Sequence, residues 1–246
     1  MCTISINRTD NKLSSLDLHS RGPTLNCLVH RCSESCVRIS AEGDLVKNQR
    51  LFCRNCSIED TDWSTVSLPY PFRTASTVRS DVILIPSHGT FLDNYKNGSS
   101  LHIGITNSSD QVLEFTEEGI KFGEGAEDRW QQCLSVGIVE QFFYEDDKDR
   151  TPFYNSWDQT VQSFLQSHDN SWTQQSYHPN SRNCFDFVLA FIATFLESFT
   201  GFHTTKTKIS NETRDKVTFC ESYVIPKTKQ AARYISLYRK INLGID

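Results

Sequence analysis

Alternating apolar and polar positions dominate the middle of the chain and predict strands. Residues 82–85 form a continuous apolar run that ends at Pro86, which is typical of a buried strand. Residues 101–106 and 111–115 alternate, and the turn-forming residues 107–110 join them, so they predict a β-hairpin. A short apolar run at 134–139 predicts one further strand.

Helical spacing appears in the second half of the chain. Ser156 and Gln159 form a capping-box pattern ahead of apolar residues spaced three and four apart, which predicts an amphipathic helix starting near Ser156. Residues 184–199 are apolar on nearly all sides, so they predict a helix in the centre of a domain. Residues 222–225 predict a strand that stops at Pro226, followed by an amphipathic C-terminal helix.

Segregation of apolar positions selects a register for the hairpin. If the numbers of paired residues sum to 216, His102 lies directly opposite Glu114 on one face, and the large apolar residues share the other face. A sum of 217 would place Glu114 among those apolar residues. We therefore expect the Glu114 carboxylate to fix the tautomer of His102 and to stabilise its cationic form.

Cys184 is predicted to lie in the first turn of the central helix. The positive end of the helix dipole and the unpaired backbone N–H groups there favour the thiolate, which is the nucleophilic form of cysteine. Cys184, His102 and Glu114 thus predict a series of nucleophile, base and orienting group. The alternative stays open that Cys184 is a small buried apolar side chain and His102 a polar residue with satisfied hydrogen bonds.

The overall charge and the apolar runs exclude some classes of protein. The formal net charge of −5 argues against a general electrostatic affinity for nucleic acid. The first ten residues lack the apolar region of a secretory signal, and the longest apolar run, residues 185–196, is shorter than the 18 or so residues that span a bilayer. We expect an intracellular protein, cytoplasmic or nuclear, with no transmembrane segment and with reduced cysteines.

The distribution of the cysteines indicates a boundary near residues 57–68. Five of the nine cysteines lie between Cys27 and Cys56. We expect a loose polar tail over residues 1–24, a Cys-rich segment over 25–67 and the main domain over 68–246.

The Cys-rich segment contains candidate zinc ligands. Cys53 and Cys56 have the Cys-x2-Cys spacing of a zinc knuckle, and a second cysteine pair precedes them. The four candidate ligands are Cys32, Cys36, Cys53 and Cys56, with Cys27 and His30 as substitutes. Four thiolates would close a tetrahedral structural site that leaves no position for substrate. The alternative is a set of reduced cysteines in a short β-rich segment, and no cofactor is expected for catalysis.

Several separated motifs resemble a known family. They are Gly89-Thr90-Phe91-Leu92, Leu101-His102-Ile103-Gly104-Ile105-Thr106-Asn107, Asn183-Cys184, Tyr223-Val224-Ile225-Pro226-Lys227-Thr228 and Leu237-Tyr238-Arg239. Over most of residues 68–242 the chain resembles the makorin-2 opposite-strand protein family. More remotely, a strand histidine followed by an Asn-Cys helix start is similar to the circularly permuted papain-like branch that includes lecithin retinol acyltransferase.

The remote resemblance implies an α+β fold, with an antiparallel sheet packed on a central Cys-bearing helix, and thiol-based hydrolysis or acyl transfer. Cys184 matches the nucleophile and His102 the base, while Glu114 falls where the acyltransferases place a second histidine. Phe185-Asp186 replaces the Glu-His pair that follows the cysteine in those enzymes. Two functions stay open: a hydrolase or acyltransferase acting on an acyl ester or amide, and a catalytically inactive module that binds an unknown protein.

Overall fold

The computed structural model is α+β and describes residues 25–33, 36–41, 64–125, 128–142, 150–166, 171–199 and 203–243. Its residues group into two compact units. One consists of the described residues within Met1–Pro71 and Ala231–Asp246, and the other of those within Phe72–Gln230.

The first unit contains a three-stranded antiparallel sheet. Its strands are β1 (Leu25–Ser33), β2 (Cys36–Ala41) and β3 (Ser64–Leu68), in the order β2-β1-β3. The ring of Tyr70, just after β3, packs edge-on against Tyr234 with 5.4 Å between the ring centroids. Tyr234 is almost completely buried, and such edge-on aromatic pairs add to the stability that burial provides.

The second unit is built on a five-stranded antiparallel sheet. The strands are β4 (Val82–Pro86), β5 (Leu101–Thr106), β6 (Gln111–Thr116), β7 (Gly119–Glu124) and β8 (Leu134–Ser135), in the order β7-β6-β5-β4-β8. The predicted buried strand and hairpin are therefore present, whereas β7 was not predicted. The apolar run at 134–139 forms only the short β8, and a 3-10 turn follows at Val139–Phe142.

The hairpin of β5 and β6 has the expected faces but a different register. Gly104 pairs with Glu114 and Thr106 with Val112, so paired numbers sum to 218 and the predicted sum of 216 is wrong. Both sums place the same residues on each face, because the side-chain period of a strand is two. His102 and Glu114 are consequently diagonal neighbours on one face.

The loop between the two strands explains the register. The backbone N–H of Asn107 donates to the carbonyl of Gln111 at 3.0 Å, which leaves a three-residue loop. The third loop residue, Asp110, has a φ of 63°, a left-handed conformation that Asp tolerates better than most residues. The Asn107 side chain also accepts hydrogen bonds from the N–H groups of Ser109 and Gln111 at 3.0 and 2.8 Å. These contacts favour the register in which the paired numbers sum to 218 over the register with a sum of 216.

Helices complete the chain after the sheet. They are α1 (Thr151–Gln166), α2 (Cys184–Ser198), α3 (His203–Glu212), α4 (Lys216–Phe219) and α5 (Ile225–Leu243), with a π-helical turn at Cys220–Val224 between α4 and α5. The predicted central helix is confirmed as α2. Helix α1 begins five residues before Ser156, because Pro152 fits the first turn of a helix. The strand predicted at 222–225 is wrong, since these residues are helical.

Aromatic packing joins α1 and α2 to the sheet. The ring of Trp157 lies 4.9 Å from Phe191 and 5.0 Å from Phe195, and its indole N–H donates to the carbonyl oxygen of Thr106 at 2.8 Å. Phe187 of α2 stacks on Phe115 of β6 at 5.7 Å. Each such side chain stabilises the fold by about 1.5–3 kcal/mol when fully buried. These contacts fix α2, and with it Cys184, relative to the β5–β6 hairpin.

A buried carboxylate ties the start of β4 to the segment after β8. Asp81 is fully buried, and its oxygens accept hydrogen bonds from the N–H groups of Gly137 and Ile138 at 2.8 and 2.9 Å. The Ser135 hydroxyl donates to the same carboxylate at 2.5 Å. Burial raises the pKa of Asp81 above its ordinary value, although these hydrogen bonds oppose the rise.

Within the part of the chain that the structure describes, no helix is both long enough and apolar enough to cross a membrane.

Candidate functional site

The N-terminus of α2 presents Cys184 in a well-defined cap. Asn183 has extended backbone angles, and its side-chain oxygen accepts a hydrogen bond from the N–H of Phe185 at 2.9 Å. In return, the Asp186 carboxylate accepts one from the N–H of Asn183 at 2.9 Å, which completes a capping box. The Lys216 ammonium lies 2.8 Å from Asp186. Cys184 is therefore the first helical residue, in a turn that is stabilised by the capping box and by the ion pair of Asp186 with Lys216.

The segment just before α2 is equally constrained. The N–H of His178 donates to the carbonyl of Arg182 at 2.9 Å, and the N–H of Arg182 donates back at 3.0 Å. The side-chain amide of Asn183 donates to the carbonyl of Pro179 at 2.5 Å. These bonds fix the path by which the chain enters the helix.

His102, on β5, forms a short contact with Glu114. Its Nε2 lies 2.6 Å from Oε2 of Glu114, and both residues are buried, with 9% and 5% of their surfaces exposed. The predicted pairing of His102 with Glu114 is thus present, although it bridges a diagonal rather than a directly opposed pair. Because Nε2 faces Glu114, Nδ1 is the ring nitrogen left for another partner.

The Cys184 thiol is a second neighbour of the imidazole, because interaction with it raises the pKa of His102. Burial lowers the pKa of His102, but the contacts with Cys184 and Glu114 outweigh this effect and raise the pKa above its ordinary value of 6.5. The structure therefore brings together all three residues that the sequence predicted for the site. A raised pKa favours the imidazolium, which is the form that pairs with a thiolate.

Two residues that the sequence analysis did not assign to the site support this cluster. Arg129 Nη1 lies 3.3 and 3.2 Å from the two oxygens of Glu114, so the carboxylate sits between a histidine and a guanidinium. Trp130 covers the same face of the sheet, with its ring centroid 6.0 Å from that of His102. Gly104 leaves room for this indole. Arg129 lies 13 residues after the end of β6, and no periodic spacing in the sequence links it to that strand. Only the three-dimensional structure therefore identifies Arg129 as a partner of Glu114.

The other described cysteines lie in different surroundings. Cys133 is completely buried, and burial raises the pKa of its thiol to about 12, with the charge of Asp81 acting in the same direction. Cys220 is partly exposed, and desolvation also raises its pKa. Among the described residues, no histidine contributes to the pKa shift of either thiol.

The zinc prediction concerns the first unit. Cys36 of β2 pairs with Ser33 of β1, and Cys32 lies at an irregularity in the same strand pairing. Cys53 and Cys56 lie outside the described residues. Among the residues that are described, no group of three or more His, Cys, Asp or Glu side chains is placed to hold a metal ion. The four-cysteine site stays a prediction.

Similarity to other proteins extends over most of the chain. Residues 65–241 match the family described as DUF4796 C-terminal. A human protein, the MKRN2 opposite strand protein, is 30% identical over 177 residues, which cover 72% of this chain and 69% of the human one. No solved structure matches. The domain match and the similarity to the human protein together establish that this chain belongs to the family of the MKRN2 opposite strand protein.

Proposed function

We propose that the protein is a thiol hydrolase or acyltransferase in which Cys184 attacks the carbonyl carbon of an acyl ester or amide. The observation that carries the proposal is the cluster of Cys184, His102 and Glu114. Glu114 Oε2 lies 2.6 Å from His102 Nε2, α2 packs on β5, and the Cys184 thiol is near enough to the imidazole to raise its pKa. A nucleophile within hydrogen-bonding reach of a base, with the base oriented by a third group, is the arrangement that nucleophilic catalysis requires.

In the proposed first step, His102 accepts the proton of Cys184 and the thiolate sulfur bonds to the carbonyl carbon. Collapse of the tetrahedral intermediate breaks the bond to the leaving oxygen or nitrogen, which takes the proton from His102. Water or an acceptor hydroxyl or amine then attacks the thioester. The acyl group leaves, and the Cys184 thiol is restored.

The first turn of α2 supplies the proposed oxyanion donor. The N–H groups of Phe185 and Asp186 bond to the Asn183 side chain, and that of Phe187 bonds to the Asn183 carbonyl. Within this turn the N–H of Cys184 is therefore the donor left for an oxyanion. It belongs to the residue that carries the nucleophile, so it lies close to the reacting carbon.

The order of the elements supports a permuted papain-like fold as part of the proposal. The histidine-bearing strand β5 precedes the cysteine-bearing helix α2 in the sequence, and α2 packs on the antiparallel sheet. The chemistry requires a reduced thiol, which fits a cytoplasmic or nuclear protein better than a secreted one.

Burial of the site favours one alternative, a catalytically inactive module that binds a partner protein. Only 6% of the surface of Cys184 and 9% of that of His102 are exposed. A substrate carbonyl must reach the sulfur, so catalysis requires the covering residues to move. An interaction module requires no such movement and predicts that partner binding survives Cys184→Ala.

The proposal is tested by the rate at which each cysteine reacts with iodoacetamide. Peptide mass spectrometry on the folded protein measures the rates between pH 5 and 9 in the wild type and in His102→Ala. We expect Cys184 to be labelled at pH values well below 8.5, which is about the pKa of an unperturbed thiol. In His102→Ala we expect this labelling at low pH to be lost. Cys133 is the internal control, because its buried thiol has a pKa of about 12 and should remain unlabelled.

A second measurement follows the acyl group itself. Incubation with a p-nitrophenyl ester should add the acyl mass to the peptide that contains Cys184, and should not do so in Cys184→Ser. Slow labelling of Cys184 in both proteins, together with no acyl adduct, would refute catalysis and favour the interaction module.

A further inference from the structure

Arg182 precedes Cys184 by two residues and has no carboxylate partner among the described residues. Three other cations do have carboxylate partners: Arg129 pairs with Glu114, Lys216 with Asp186 and Arg214 with Asp215. No side chain within the described ranges accepts a hydrogen bond from Arg182, and its Nε is buried without a partner. A buried guanidinium N–H that lacks a partner is costly, so its retention calls for a physical explanation.

The guanidinium is held in place by an aromatic platform. Cζ of Arg182 lies over the ring of Trp172, 4.7 Å from its centroid. Trp172 is itself fixed edge-on against Phe115 of β6 and Phe187 of α2, each at 5.2 Å. The backbone of Arg182 is fixed by its paired hydrogen bonds to His178. Both ends of the side chain are thus restrained, and the group is preorganised.

This stack adjoins the first turns of α2, where Cys184 lies. Arg182 precedes Cys184 by two residues, which span at most about 7 Å of chain. Phe187 lies three residues after Cys184, so the two share one face of α2. Because Trp172 packs on Phe187 and the Arg182 guanidinium lies over Trp172, the stack is on the side of α2 that also carries Cys184.

We infer that Arg182, stacked on Trp172, is an anion-binding site that receives a carboxylate or phosphate group of the molecule on which Cys184 acts. The inference rests on the proposed function and adds a substrate class to it, namely acyl compounds that carry an anionic group close to the bond attacked. A planar guanidinium presents a fork of N–H donors that matches both oxyanions.

The test compares two alkylating agents that differ in charge. Iodoacetate carries a carboxylate, and iodoacetamide is its neutral counterpart; both react with the thiolate, so the ratio of their rates at Cys184 cancels any change in thiolate population. We expect Arg182→Gln to lower the ratio of iodoacetate to iodoacetamide rates about tenfold. Arg182→Lys keeps the charge but loses the fork, and should also lower the ratio. Arg214→Gln removes an exposed arginine on the neighbouring surface and should leave it unchanged.

Competing anions identify the chemical class. Inorganic phosphate and acetate, each compared with chloride at equal ionic strength, should slow the iodoacetate reaction in the wild type and not in Arg182→Gln. The stronger competitor shows whether the site prefers phosphate or carboxylate.

The outcomes separate this inference from the proposed function. Rapid reaction of Cys184 with iodoacetamide, with an equal rate ratio in the wild type and Arg182→Gln, overturns the anion site and leaves the proposed function standing. If Cys184 reacts with neither reagent and forms no acyl adduct, the proposed function fails. Whenever neither alkylation rate can be measured, tryptophan fluorescence decides the anion site. A saturable change with phosphate or acetate that is absent in Arg182→Gln supports the site, and no change with either anion overturns it.

Discussion

Replacing Gly104 with alanine adds one methyl group at the most crowded point beside the candidate site. A Cβ at this position would lie 2.9 Å from Cη2 of Trp130, and 3.2 Å from both Cζ2 of that ring and Cγ1 of Val112. Trp130 is 1% exposed and packs among buried residues, so its rigid ring cannot turn aside into solvent. The methyl group must therefore displace packed neighbours.

Two opposing effects set the size of the change in stability. Overpacking of a well-packed core costs about 1–3 kcal/mol. Alanine also restricts the unfolded chain more than glycine does, and this effect stabilises the folded state by about 0.4–1 kcal/mol. We therefore expect Gly104→Ala to lower the free energy of unfolding by about 1–2 kcal/mol. With an m-value of about 2 kcal/mol per M, the urea midpoint would fall by about 0.5–1 M.

A double-mutant cycle measures whether Trp130 causes the cost. Trp130→Phe removes the two ring atoms that crowd the new methyl group, so Gly104→Ala should be nearly neutral in that background. Gly98→Ala is the control, because its Cβ meets nothing within 4 Å and its cost arises from a φ of 84° alone. That cost should not depend on Trp130. Equal costs of Gly104→Ala in both backgrounds, or a stabilised single variant, would refute the packing argument.

Three further predictions concern stability and are checked by urea unfolding. Asp81→Ala removes the acceptor of the N–H groups of Gly137 and Ile138 and should lower the free energy of unfolding by about 3 kcal/mol. Asp81→Asn should lower it less, and equal urea midpoints for wild type and Asp81→Ala would contradict the prediction. Asn183→Ala removes the cap of α2 and should cost about 1 kcal/mol, whereas an unchanged midpoint would show that the cap is redundant. The pKa of His102 is raised in the folded protein, so the stabilisation by its protonated form is complete below the ordinary pKa and is lost as the pH rises through the folded pKa. The difference in unfolding free energy between wild type and His102→Gln should therefore shrink from pH 6 to pH 9. An increase of that difference with pH would contradict the raised pKa.

The candidate site was predictable from local patterns for a physical reason. The alternation of apolar residues along a strand indicates on which face of the sheet each side chain lies. This pattern was sufficient to predict that His102 and Glu114 lie on the same face and interact. It does not report position along the strand, so the register was wrong by two. That choice depends on the loop, where Asp110 adopts a left-handed conformation.

Other features depend on contacts that a local pattern does not encode. Arg129 reaches Glu114 from a separate turn, and no periodicity connects the two. Residues 222–225 have strand-forming side chains, yet they continue a helix because Tyr223 and Val224 are buried in that conformation. Here tertiary packing overrides the local preference of the chain. The start of α1 did have a local signal, Pro152, which fits the first turn.

The π-helical turn at Cys220–Val224 has a consequence for how this part of the chain tolerates changes in length. The N–H of Ile225 bonds to the carbonyl of Cys220, five residues back rather than four, so the turn holds one residue more than an α-helix would. Deleting one residue from it would restore regular α-helical bonding, with Phe219 and Ile225 kept on their present faces. A single deletion within α5 would instead rotate all the residues that follow by about 100°. Proteins of this family that differ by one residue here are therefore expected to share the same helix contacts.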